Sequence, residues 1–199
     1  MRLWASQRRI WLLVVTIGLV TAGALWLQSR AFAMPTIIGS GGMALWATFL
    51  PLIWAVAVAD AFSSKTQGAE ARPGPRVAGL DLLLFVLATT TAATAACLAA
   101  GGQSATATTA HILIMSGLAC MVTLSVGAAS AMLAGSALMA ITTPYGHSAF
   151  AGSYVRVLQP DGDTTWSLIV GITLCLCACL MLATRATTIN LSRTAGLVG

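Results

Sequence analysis

The chain is written as long apolar runs separated by short polar breaks. Ile10 to Leu27 carries no charge, and neither do the 40 residues from Ser104 to Thr143. The stretches 43–61, 80–100 and 166–184 are interrupted only by Asp60 and Asp81. None of these runs alternates with period two, which excludes a membrane barrel. The runs are apolar on all sides, which predicts helices surrounded by lipid or by other helices. The run 104–143 is too long for one span, because about 40 residues of straight helix extend about 60 Å, twice the hydrocarbon thickness. Two spans, 104–123 and 126–143, with a tight turn near Thr123–Gly127 fit it better. One broken helix is the alternative. The pattern therefore predicts an all-α polytopic membrane protein, a single domain over 1–199, with six spans near 10–27, 43–61, 80–100, 104–123, 126–143 and 166–184.

Composition agrees. The 199 residues are 58% hydrophobic and 8% charged, with a mean hydropathy of +0.89. A water-facing surface normally needs about 25% charged residues. Most of this surface must therefore be solvated by lipid, and no separate soluble domain fits. The first 33 residues have the basic start, apolar centre and A-x-A ending of a signal peptide, but the run 10–27 is longer than the usual ~7–15 residues. It is expected to be a retained span.

The placement of charge orients the spans. With the N-terminus inside, Arg2, Arg8, Arg9, Lys65, Arg72, Arg76, Arg185 and Arg193 fall on the cytoplasmic side, and only Arg30 and Arg156 lie outside. A five-span arrangement gives a weaker seven-to-three split. Trp26, Trp46, Tyr145, Tyr154 and Trp166 then sit near the outer interface, where amphipathic rings concentrate. Both termini are expected in the cytoplasm of a multi-pass protein of the cytoplasmic membrane. Between spans two and three, "VADAFSSKTQGAEARPGPRVAG" gathers Asp60, Lys65, Glu70, Arg72 and Arg76, five of the chain's 15 charged residues. Ser63 or Ser64 can cap a short cytoplasmic helix running to Arg72, which "PGP" then stops. Such an element offers a soluble partner something to grip.

Familiar reaction motifs are missing from the sequence. There is no G-x-x-x-x-G-K-[ST] to hold nucleotide phosphates and no H-E-x-x-H. His111 and His147 are far apart, and the five cysteines lie in apolar runs without paired spacing, so no metal site, cofactor or nucleic-acid surface is expected in this chain. An enzyme is not expected. Asp60 stands near a helix C-terminus, where a local bridge to Lys65 or Arg72 competes with a contact to a partner. Gly127, Ala131 and Gly135 recur every fourth residue, as do Ala88, Ala92, Ala96 and Ala100. Such faces let helices pack closely, within one chain or across a dimer. The outer segment before the last span mixes aromatic and apolar residues, as an amphipathic segment does, and a short interfacial or re-entrant helix over about 148–158 is one form it can take. Asp161 and Asp163 are expected to form a turn ahead of Trp166.

Six spans with both ends inside, a charged loop after span two and an amphipathic outer segment before span six resemble an ABC-2-type permease, the membrane subunit of an ATP-binding-cassette exporter. The motif-level similarity lies in "LPLIWAVAVADAFSSKTQGAEARPGPR", where Asp60, Ser63, Ser64, Gly68 and Pro73-x-x-Arg76 follow the order usual in that family. A Glu commonly precedes the Gly, and Lys65 stands in that region here. The resemblance implies that the loop, including Lys65, Glu70 and Arg72, couples to a separate cytoplasmic P-loop ATPase, which would bind ATP and Mg. It also implies a second permease chain, identical or not, and a substrate path between the two. Ser125, Ser130 and Ser136 are candidates for that path, or for hydrogen bonds between helices. The cargo implied is amphipathic or hydrophobic. A different reading fits the same composition: a membrane anchor or assembly subunit of a larger complex, of respiratory type for example.

Overall fold

The computed structural model describes residues 8–27, 31–34, 42–45, 49–63, 75–145 and 164–195. Six helices make up nearly all of it: α1 (Ile10–Leu27), α2 (Leu50–Phe62), α3 (Pro75–Ala100), α4 (Gly102–Ser125), α5 (Ala128–Tyr145) and α6 (Thr164–Ala195). Four of them, α1, α3, α4 and α6, are long and apolar enough to cross a membrane, whereas α2 and α5 contribute shorter apolar helices.

The second predicted span differs from its helix. Residues 42–45 form strand β2, paired antiparallel with β1 (Ala31–Met34), and α2 begins only at Leu50, with Pro51 in its first turn. A proline there lacks only an N–H that would have no intrahelical partner. The 13 residues of α2 span about 20 Å, short of the roughly 30 Å hydrocarbon core. Residues 104–143 are two helices, separated at Val126–Gly127. Gly127 has φ +122, and its N–H and that of Val126 both bond to the Val122 carbonyl. Gly101, at φ +63, is the single residue between α3 and α4. Both turns use left-handed backbone that only glycine adopts without strain. The expected cytoplasmic helix after Ser63 and the outer segment 148–158 lie outside the described residues.

Contacts fix the helix directions. The start of α1 meets the end of α2, and Gly23 late in α1 meets Leu50 early in α2, so these two run antiparallel. Phe62 and Phe85 touch edge to face with ring centroids 5.9 Å apart, so the end of α2 lies beside the early turns of α3. α4 turns back from α3 at Gly101 and packs against α2, α3, α5 and α6. It is the central helix, with 61% of its spanning stretch buried inside the protein against 22–28% for the other three. α6 lies alongside α4 in the same direction, since Gly171 faces Ala110–Ile114 and Gly117 faces Leu174–Cys175.

One side-chain bond ties α2 to this centre. Buried Trp54 donates its indole N–H to Ser116 Oγ at 2.7 Å, and that hydroxyl donates in turn to the Ile112 carbonyl at 2.6 Å. Ser116→Ala leaves the indole without its acceptor in an apolar interior. We expect a loss of about 1–2 kcal/mol, read as a lower thermal midpoint in detergent, and most of it regained in Trp54→Phe/Ser116→Ala.

Candidate functional site: the charged end of the bundle

At one end of the bundle four charged side chains meet from three helices. Arg8 and Arg9 immediately precede α1, Asp60 lies in the last turn of α2, and Asp81 sits two turns into α3. Arg8 grips Asp81 with both arms of its guanidinium: Nε donates to Oδ1 at 3.0 Å and Nη2 to Oδ2 at 2.5 Å. Its Nη1 also donates to the Ala61 carbonyl at 3.4 Å, near the end of α2. Arg9 Nη1 donates to Asp60 Oδ2 at 3.0 Å. The carbonyl of Asp60 accepts from both the N–H and the hydroxyl of Ser63, closing the helix at the start of the α2–α3 connection.

The two pairs differ in strength for a physical reason. The Arg8 and Asp81 side chains are 16% and 9% exposed, and the planar fork of Arg8 fits the Asp81 carboxylate in two places. Removing one partner of such a pair leaves a desolvated charge, at a cost of about 3–5 kcal/mol. In the outer pair Arg9 is 46% exposed, and a pair so open to water contributes only about 0–1 kcal/mol. Arg9 also has φ +46, the sole non-glycine at positive φ among the described residues. That conformation costs on the order of 1–3 kcal/mol and must be offset by what surrounds it. The turn at Arg9 directs two adjacent arginines to two different helices, and Arg9's carbonyl accepts the N–H of Leu12 to begin α1.

The sequence brought Asp60 forward but paired it with Lys65 or Arg72, and the structure pairs it with Arg9, 51 residues away. Lys65, Arg72, Ser64, Gly68, Glu70 and Pro73 lie outside the described residues, while Arg76 falls in the first turn of α3. The residues that sequence reasoning missed are Arg8, Arg9 and Asp81. A usable signal was present: Asp81 is a carboxylate inside an apolar run, and such a group needs a named partner.

The other candidate positions are dispersed. Gly127 precedes α5 and so is not part of its face, Ala131 is buried, and Gly135 faces Leu52 of α2, with its missing Cβ 3.2 Å from Leu52 Cδ1. Among the described glycines, the two that approach another helix's backbone lie between α4 and α6. A Cβ on Gly117 would stand 2.7 Å from the Leu174 carbonyl carbon, and one on Gly171 would stand 3.1 Å from the Ala110 carbonyl oxygen. Cys175 adds a thiol contact to the Leu113 carbonyl at 3.2 Å in the same seam. Ser125 closes α4, exposed, with its hydroxyl on the Met121 carbonyl. Ser136 is exposed on α5 and Ser130 is half-buried. No group of three or more His, Cys, Asp or Glu among them could hold a metal ion.

No protein-family profile, curated protein or solved structure matches this chain. The four long apolar helices define the class: a membrane-embedded, multi-pass helical protein.

Proposed function

We propose that the chain is the membrane-spanning permease subunit of an ABC exporter, moving an amphipathic or hydrophobic substrate across the cytoplasmic membrane with energy from a separate ATPase. The observation that carries this reading is the brace at the charged end. Arg8 joins the start of α1 to the end of α2 and to α3, the two helices that flank the α2–α3 connection. Force applied to a connection mounted in this way reaches three helices together, as coupling to an external motor requires. The sequence has no phosphate-binding loop, so ATP and Mg belong to the partner. In this reading six segments cross or enter the bilayer with both termini in the cytoplasm. Two copies, or this chain and a paralogue, enclose the path, and exposed Ser136 then faces the other chain.

The close α4–α6 seam favours a second reading, a non-transporting anchor or assembly subunit, because helices in backbone contact resist sliding. Purification separates the two. The exporter reading expects co-isolation with a P-loop ATPase, lost when residues 62–76 are replaced by a Gly/Ser segment while membrane insertion persists. Co-isolation with a haem or quinone enzyme, and no ATPase, overturns it in favour of the anchor.

A further inference from the structure

The outward face of α3 changes character halfway along. Leu83, Val86 and Leu87 are exposed on its first half and Leu98 near its end, as contact with acyl chains requires. Between them Thr90, Thr91 and Thr94 are exposed together, at positions i, i+1 and i+4 on one side of the helix. On α6 the exposed threonines 165, 173 and 184 are isolated, and α1 exposes none. Each hydroxyl of the α3 cluster donates to its own helix: Thr90 to the Val86 carbonyl at 2.7 Å, Thr91 to Leu87 at 2.7 Å and Thr94 to Thr90 at 2.6 Å. With their protons used in this way, the three oxygens offer only lone pairs to what lies outside. Thr90 and Thr94 stand 13 and 17 residues beyond Val77 in the apolar stretch Val77–Ala100. That leaves about 9–15 Å of helix to its far end, a depth that acyl chains occupy and water does not.

We propose that Thr90, Thr91 and Thr94 form a binding site, inside the bilayer, for the donor group of an amphipathic molecule: a hydroxyl or amide N–H carried on an apolar body. A donor drawn into hydrocarbon leaves its water behind and finds no acceptor among acyl chains. The three oxygens supply that acceptor at the depth where it is missing, while Leu83, Leu87 and Leu98 on the same face meet the apolar body. A second copy of this chain is a poor occupant. Inserted in the same direction, its α3 brings the same oxygens to the same depth with their protons used in the same way, so two acceptor faces would meet. Calling the occupant cargo rests on the exporter reading, and the site itself does not need an ATPase.

The experiment uses the full chain in phosphatidylcholine vesicles and a pair of photoactivatable phosphatidylcholines. One carries a hydroxyl beside a diazirine halfway along an acyl chain, and the other carries the methyl ether of that hydroxyl, which has no proton to donate. The hydroxyl probe is expected to label the α3 face about threefold more than the ether, the preference that one hydrogen bond gives within a membrane, while both label α1 equally. T90V/T91V/T94V keeps the side-chain shape without the oxygens and is expected to abolish the preference. Its unchanged labelling by the ether shows that the face is intact. T90S/T91S/T94S keeps the oxygens and the preference. Equal labelling of α3 by the two probes in the parent overturns the site, as does a preference that survives in the triple valine variant. Labelling of this face by neither probe means that another polypeptide covers it, and overturns the site as well. Failure of an ATPase to co-purify counts against the exporter reading and leaves these ratios unaffected.

Discussion

Gly117→Val is expected to abolish accumulation of folded protein. Its Cβ would lie 2.7 Å from both the carbonyl carbon and the Cβ of Leu174 and 2.8 Å from the Cys175 nitrogen. Two of these three atoms are backbone of α6, which cannot rotate out of the way, so α4 and α6 must separate along the most extensively packed pair of helices in the bundle. Close approach is what holds helices together where lipid removes the hydrophobic drive between them. A cost of about 3 kcal/mol or more follows for valine, and alanine already violates the contact. Gly171→Val acts on the same seam from the other side, against Leu113 Cβ at 2.9 Å and the Ala110 carbonyl oxygen at 3.1 Å. Gly23→Ala meets only the methyl ends of Leu50, which can turn aside, and Gly18→Ala and Gly79→Ala meet nothing within 4 Å. Yield and thermal midpoint in detergent should therefore fall steeply for positions 117 and 171, mildly for 23 and hardly at all for 18 and 79.

Asp81→Ala is expected to destabilise the protein by about 3 kcal/mol, the lower end of the range for breaking a shielded pair, since Arg8 at the end of the bundle retains some access to water. The loss arises from the stranded guanidinium more than from the missing attraction. Arg8→Met/Asp81→Leu should therefore recover most of it, because an apolar pair of similar volume has no desolvated charge to satisfy. Asp60→Ala, by contrast, should cost about 1 kcal/mol or less. Thermal unfolding of the four proteins in one detergent checks the order. A double variant as unstable as Asp81→Ala contradicts the account of this end of the bundle.

Much of the helical arrangement was legible because apolar runs need no partner to be recognised. α1, α3, α4 and α6 contain the long hydrophobic runs, with α3 and α6 extending beyond theirs, and the turn expected near Thr123–Gly127 is found at Val126–Gly127. The start of α2 was not legible. "GMAL" is as apolar as the helix that follows, and hydropathy does not distinguish a short strand from the first turn of a span. Pro51 was the available marker of a helix start. Charge pairing was illegible for a different reason: Arg8 and Asp81 are 73 residues apart, and only the antiparallel return of the chain brings them together. The Gly117–Gly171 seam was hidden among many small residues, since the every-fourth pattern from Ala88 to Ala100 or from Gly127 to Gly135 reads just as well. Which small residue meets another backbone depends on helix rotation, and rotation is set by the whole bundle.

The proposed exporter function requires that the end of the bundle carrying Arg8, Arg9, Asp60 and Asp81 face the compartment that holds ATP. Single cysteines at Ser64 and Gln67, in the connection that leaves this end, test it directly. Inverted membrane vesicles expose the cytoplasmic face, and there both positions should react with an impermeant maleimide, while intact cells leave them unlabelled. Labelling in intact cells and none in inverted vesicles would reverse the orientation and remove the basis for an ATPase partner.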